Sequence, residues 1–207
     1  MTFAVGFFDL FSFAIPGALQ LSLIVYVLSR LHIAGLSAVA AMPAALLVVA
    51  AVAASYVLGN IFHPLGAQLE RLLPRWRVRP DAARREFLAR VPQAQDRPYV
   101  HADPALLLAA AEQHNKDAVG DIGRMRALSV MLRNIAFTLI VAMVAALAEL
   151  AVGGHKLLAG CCAALLLVAA LGAMREGRKL QHVSRLKTLE VCFWIPSIDE
   201  PLAIDRP

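Results

Sequence analysis

Residues 135–152 read IAFTLIVAMVAALAELAV, eighteen positions with a single charge, Glu149. Three further stretches resemble it: FSFAIPGALQLSLIVYVLS over 11–29, VAAMPAALLVVAAVAASYVLGNIF over 39–62, and LLAGCCAALLLVAALGAM over 157–174. A bilayer core about 30 Å thick is crossed by about 20 apolar helical residues, and each stretch is close to that length. The whole chain has 207 residues, 59% hydrophobic and 17% charged, with mean hydropathy +0.65. Soluble domains carry nearer a quarter charged residues. Four such stretches leave too little polar sequence to cover them. The expected fold class is an all-α membrane protein with four transmembrane helices and helical cytoplasmic extensions.

Outside these stretches lies nearly all of the charge. Of 20 Lys and Arg, Arg30 stands alone between the first two spans and Lys156 alone between the last two. Twelve fall between Arg71 and Arg133, and six follow Met174. Positive residues near span ends mark the cytoplasmic side. The middle segment and the tail are therefore expected inside, and four spans place both termini there. Met1–Phe8 contain no Lys or Arg, and no small-residue cleavage site follows. The first span is thus expected to stay as a helix rather than be removed as a signal. Domains follow: a transmembrane hairpin over 1–63, a basic helical region over 64–133, a second hairpin over 134–174, and a helical extension and tail over 175–207.

Within the first span Pro16-Gly17 precedes Gln20. A proline frees a backbone carbonyl, so the helix is expected to start near Pro16; a hinge beside a polar site is the alternative. In the second span Ala51, Ser55 and Gly59 recur every four residues, a face on which helix backbones approach closely in lipid. The spacing leaves open whether it packs within or between protomers. Asn60, His63 and Pro64 are expected to end this helix, with His63 as an interfacial cap.

In the middle segment a helix is expected from Ala82 to about Val91. Asp103-Pro104 then makes a helix start with an acidic N-cap and proline in the first turn, followed by Ala105–His114. Ile122, Met125, Leu128 and Leu132, before the third span, repeat at helical spacing. Leu180, Val183, Leu186, Leu189 and Phe193 do so after the fourth, until Pro196. Two amphipathic extensions are expected, each of about 18 residues and roughly 27 Å long, packed on one another as a stalk.

Chemistry is sparse. No Ser/His/Asp or Cys/His spacing, nucleotide-binding loop or metal-ligand pattern occurs, and an enzyme is not expected; no cofactor or metal is assigned. Cys161 and Cys162 read as small apolar residues of a span. Glu149 is either an interfacial acid pairing with Lys156 or His155, or an acid lining a cavity, where copies in an oligomer would form a cation-favouring ring. Gln20 and Asn60 are the other polar side chains assigned to a pathway. Arg75, Trp76, Arg77 and Arg79, with Arg84 and Arg85, combine cations and an aromatic as phosphate contact and base stacking require. Positive-inside charge and contact with anionic lipid are the other readings of that cluster.

The layout of four spans, with a basic helical region, the Ala51/Ser55/Gly59 face and the Arg75–Arg79 cluster, resembles small membrane effectors of bacterial antiphage systems. It is most similar to the channel-forming effector of the Hailong type. The resemblance covers the architecture of the chain and carries no diagnostic motif. It implies an oligomeric channel in the bacterial inner membrane, controlled by a nucleotide or oligonucleotide from a partner synthase. Expected partners are the lipid bilayer, further copies of the chain in a tetramer, that ligand, and a cytoplasmic protein. A non-conducting anchor for a cytoplasmic partner, and a small transporter subunit using Glu149 for proton coupling, are the rival readings.

Overall fold

The computed structural model describes residues 3–31, 43–72, 80–153, 155–196 and 198–199. It is 90% helical, with no strand among the described residues. The helices are α1 (Phe3–Arg30), α2 (Ala44–Leu72), α3 (Pro80–Arg90), α4 (Pro104–His114), α5 (Lys116–Val152) and α6 (Lys156–Phe193). Of these, α1, α2, α5 and α6 are long and apolar enough to cross a membrane. Little of their apolar length is buried within the chain. Leu46, Val48, Val49, Val52 and Val57 of α2, and Leu157, Leu158, Leu165 and Val168 of α6, are exposed. A soluble protein does not leave apolar faces of that extent uncovered, whereas lipid covers them at no cost. The chain is a multi-pass membrane protein.

The chain divides into two compact units: 1–76 with 130–177, and 77–129 with 178–207. In the first, α1 packs along α2. Helix α1 begins at Phe3 and passes through Pro16, which corrects the expectation that it starts near the proline. The missing Pro16 N–H costs one i→i−4 bond, to the carbonyl of Ser12. Both residues are buried, so packing holds the helix across the gap. Helix α2 likewise continues through Pro64 to Leu72 instead of ending near Phe62.

In the second unit, α3 opens on Pro80 and Asp81 and closes on Arg90, so acid lies at its positive end and base at its negative end. Two short 3-10 turns, Pro92–Ala94 and Pro98–His101, lead to α4. Asp103 caps α4 as its sequence implies: its carboxylate accepts from the Ala105 N–H at 2.6 Å. Phe87, Ala94, Tyr99, Val100, Leu107 and Ala111 form a core closed by Leu186, Leu189 and Cys192 of α6. The second amphipathic stripe thus covers α3, α4 and the turns between them. Of the first stripe, Ile122 is buried and Leu128 is exposed. Arg97 locks the end of α6: it pairs with Asp199 at 2.6 Å, donates to the Phe193 carbonyl, and lies 5.0 Å from the Tyr99 ring centre.

Candidate functional site

Three helices of the first unit bring polar side chains together. On α1, Ser12, Pro16 and Gln20 are spaced by four residues and all are buried. On α2, Ser55, Gly59, His63 and Gly66 share a face. Glycine lets these helices meet backbone to backbone. A Cβ on Gly17 would fall on the carbonyl oxygen of Ser55, and one on Gly59 on that of Phe13. The small-residue face therefore packs within the protomer. Ser55 and Gly59 take part, while Ala51 is exposed.

Helix α5 completes the site with Asn134 and Thr138, one turn apart. Gln20 donates its amide N–H to Thr138 Oγ1 at 3.3 Å, and that hydroxyl donates to the Asn134 carbonyl at 3.0 Å. Asn134 Nδ2 lies 3.3 Å from His63 Nδ1. As a donor there, Asn134 requires a neutral imidazole with its proton on Nε2. The ring edge of Phe13 packs against His63 at 5.5 Å. Asn134 Oδ1 also lies against the open side of Gly66. His63 is thus a member of a buried polar chain inside α2, which corrects its reading as an interfacial cap.

The chain is incompletely satisfied. Gln20 Oε1 and Asn134 Oδ1 are buried and accept no hydrogen bond from the protein. Their side chains are 5% and 1% exposed. Reversing the Gln20 amide would only trade an orphan oxygen for an orphan NH2, because Thr138 Oγ1 already spends its proton on Asn134. Polar groups at this depth are costly and mark pathways of ions or polar substrates.

A second polar cluster joins the last turn of α1 to α5. Arg30 Nε meets Glu149 Oε1, Arg30 NH2 lies 2.9 Å from Glu149 Oε2, and the Tyr26 hydroxyl donates to Oε1 at 3.3 Å. This fork engages both carboxylate oxygens. The partner of Glu149 is therefore Arg30, rather than Lys156 or His155.

Asn60 is exposed, and its amide returns to the Tyr56 carbonyl at 2.9 Å. It joins neither cluster. Arg75, Trp76, Arg77 and Arg79 lie outside the described residues. Arg84 and Arg85 lie on α3, both turned to Asp81: Arg84 pairs with its carboxylate at 3.7 Å, and Arg85 donates to its carbonyl at 3.4 Å. Among the described residues, no three His, Cys, Asp or Glu side chains gather as metal ligands. The sequence reading named Gln20, Ser55 and Gly59 but missed Asn134, Thr138, Gly17 and Gly66. The signal for the first two was there: an Asn and a Thr four residues apart at the start of an apolar run.

No family model, curated protein or solved structure matches the chain.

Proposed function

We propose that the chain is one subunit of a homo-oligomeric membrane channel, of the pore-type effector class in bacterial antiphage defence, controlled by a nucleotide or oligonucleotide. The carrying observation is the buried chain Gln20–Thr138–Asn134–His63, with two amide oxygens that accept nothing from the protein. Apolar spans gain nothing by burying unsatisfied amides, whereas a hydrated or ion-conducting state of the site would satisfy them. Four helices are few to enclose a water-filled path, and further copies supply the remaining wall. A net charge of +5 favours an anionic ligand.

Planar-bilayer recordings of the purified protein test this reading. Ligand-dependent conductance that falls at least tenfold in Gln20→Leu and Asn134→Leu is the expected result. A silent wild-type protein under every nucleotide condition overturns it. One observation favours the rival role of a membrane anchor: Trp194, 80% exposed on the second unit, together with exposed Leu106. A chain that is monomeric in mild detergent and silent in the bilayer would support that role.

A further inference from the structure

Arg126 of α5 and Arg185 of α6 belong to the second unit. Both are partly buried, and they lie close enough for their like charges to interact. One Arg185 nitrogen, NH1, is fully buried and reaches no acceptor in the protein. Carboxylates on the surrounding helices are engaged elsewhere: Asp121 holds Arg124 at 3.4 Å, Glu190 holds Arg90 at 3.2 Å, and Glu86 holds His182 at 2.6 Å. A guanidinium does not lose its proton to escape such a site. Two adjacent, half-desolvated cations without a counter-charge are strongly unfavourable, and a double anion with several acceptor oxygens relieves both at once. A carboxylate or halide brings one charge; a phosphoryl group brings close to two and accepts from both planar forks.

We infer that Arg126 and Arg185 form a binding site for the phosphoryl group of a phosphate-bearing anion. Two sources share that chemistry, a soluble phosphoester and an anionic lipid headgroup. Arg126 stands nine residues before Ile135, and Arg185 eleven after Met174. Along their helices these are about 13 Å and 16 Å from the apolar stretches, beyond a headgroup layer of roughly 5–7 Å. That spacing favours the soluble source. The site is where the ligand control proposed above would enter, and in that sense it rests on the channel reading. Its test is a binding measurement, whose outcome is separate from conductance.

The experiment uses the full chain in phosphatidylcholine nanodiscs, titrated calorimetrically with inorganic pyrophosphate. A parallel arm counts phosphatidylglycerol retained from mixed vesicles by native mass spectrometry. Wild type is expected to bind pyrophosphate. Arg126→Gln and Arg185→Gln should weaken binding at least tenfold, and Arg175→Gln, an exposed charge-matched control, by less than twofold. Retention of phosphatidylglycerol that is lost in the two glutamine variants, without pyrophosphate binding, would support the site with a lipid as its ligand. In phosphate-free buffer both glutamine variants should melt at or above the wild-type temperature, since each removes an unpaired like charge. Arg126→Lys and Arg185→Lys, which keep the charge but lose the fork, give a second series with intermediate affinity. Unchanged binding across the variants, or no binding in either arm, overturns the proposal.

Discussion

A Cβ on Gly59 would strike the Phe13 carbonyl, and one on Gly17 the Ser55 carbonyl, both backbone atoms that cannot swing aside. Gly59→Val and Gly17→Ala are therefore expected to part α1 from α2 and to cost about 1–3 kcal/mol or more. Gly123 provides the contrast. Nothing lies within 4 Å of its would-be Cβ, and Gly123→Ala should stabilise α5 by roughly 1 kcal/mol through helix propensity. Thermal unfolding in detergent micelles reads all three. In the second unit, Glu86 accepts from His182 at 2.6 Å and from Arg90 at 2.5 Å. The His182 bond, followed by the Arg90 charge, holds the Glu86 carboxyl below its usual value of 4.5, against a smaller opposing effect of burial. A depressed folded-state value means that the associated stability is full above the unfolded value and is lost as pH falls through the folded one. The wild-type melting temperature should drop from about pH 4.5 downward, and Glu86→Gln should flatten that slope. An identical acid limb in the variant would remove Glu86 from the account. Burial raises the Tyr99 hydroxyl to about 12. Of three tyrosines, one should thus ionise last in an alkaline ultraviolet titration of the folded chain.

Helices through Pro16 and Pro64 show where reading by element succeeds and where it stops. Long apolar runs made all four spans legible, because the length needed to cross lipid is fixed. Asp103 likewise announced α4 through its capping chemistry. Proline misled because its penalty is counted as one lost hydrogen bond and a local clash, and the sequence does not show whether packing offsets that loss. Here Pro16 is buried beside Gly17, where α1 meets Ser55 and Gly59 of α2. The polar chain was opaque for a different reason. Gln20 and Thr138 are 118 residues apart, and no period in either helix records that they meet. The Arg30–Glu149 fork is of the same kind: two charges, each alone in its stretch, joined only by folding. Arg30→Glu and Glu149→Arg should each lower the melting temperature in nanodiscs, and the doubly swapped chain should recover part of the loss. Additive damage in the double variant would show that the pair does not tether α1 to α5.

Two compact units with different covering requirements make up the whole molecule. The second closes an apolar core around Phe87, Tyr99 and Leu107 with its own residues. The first leaves most of its apolar side chains on the outside of its helices, so lipid is the larger part of what surrounds it. The cysteines distinguish these environments. Cys161 and Cys162 are exposed on α6, in the same span as exposed Leu157, Leu158 and Leu165, while Cys192 is buried in the second unit, its thiol 3.6 Å from the Leu107 carbonyl. A membrane-impermeant maleimide should therefore leave all three unlabelled in proteoliposomes opened to the reagent on both faces. Bilayer covers the first two, and packing covers the third. Addition of SDS should bring labelling to three per chain, and Phe87→Ala, which costs about 3–5 kcal/mol in a packed core, should expose Cys192 alone. Rapid labelling of Cys161 or Cys162 in the intact bilayer would place that face of α6 against water. In an oligomer that would make α6, rather than the α1–α2–α5 site, the lining of the path.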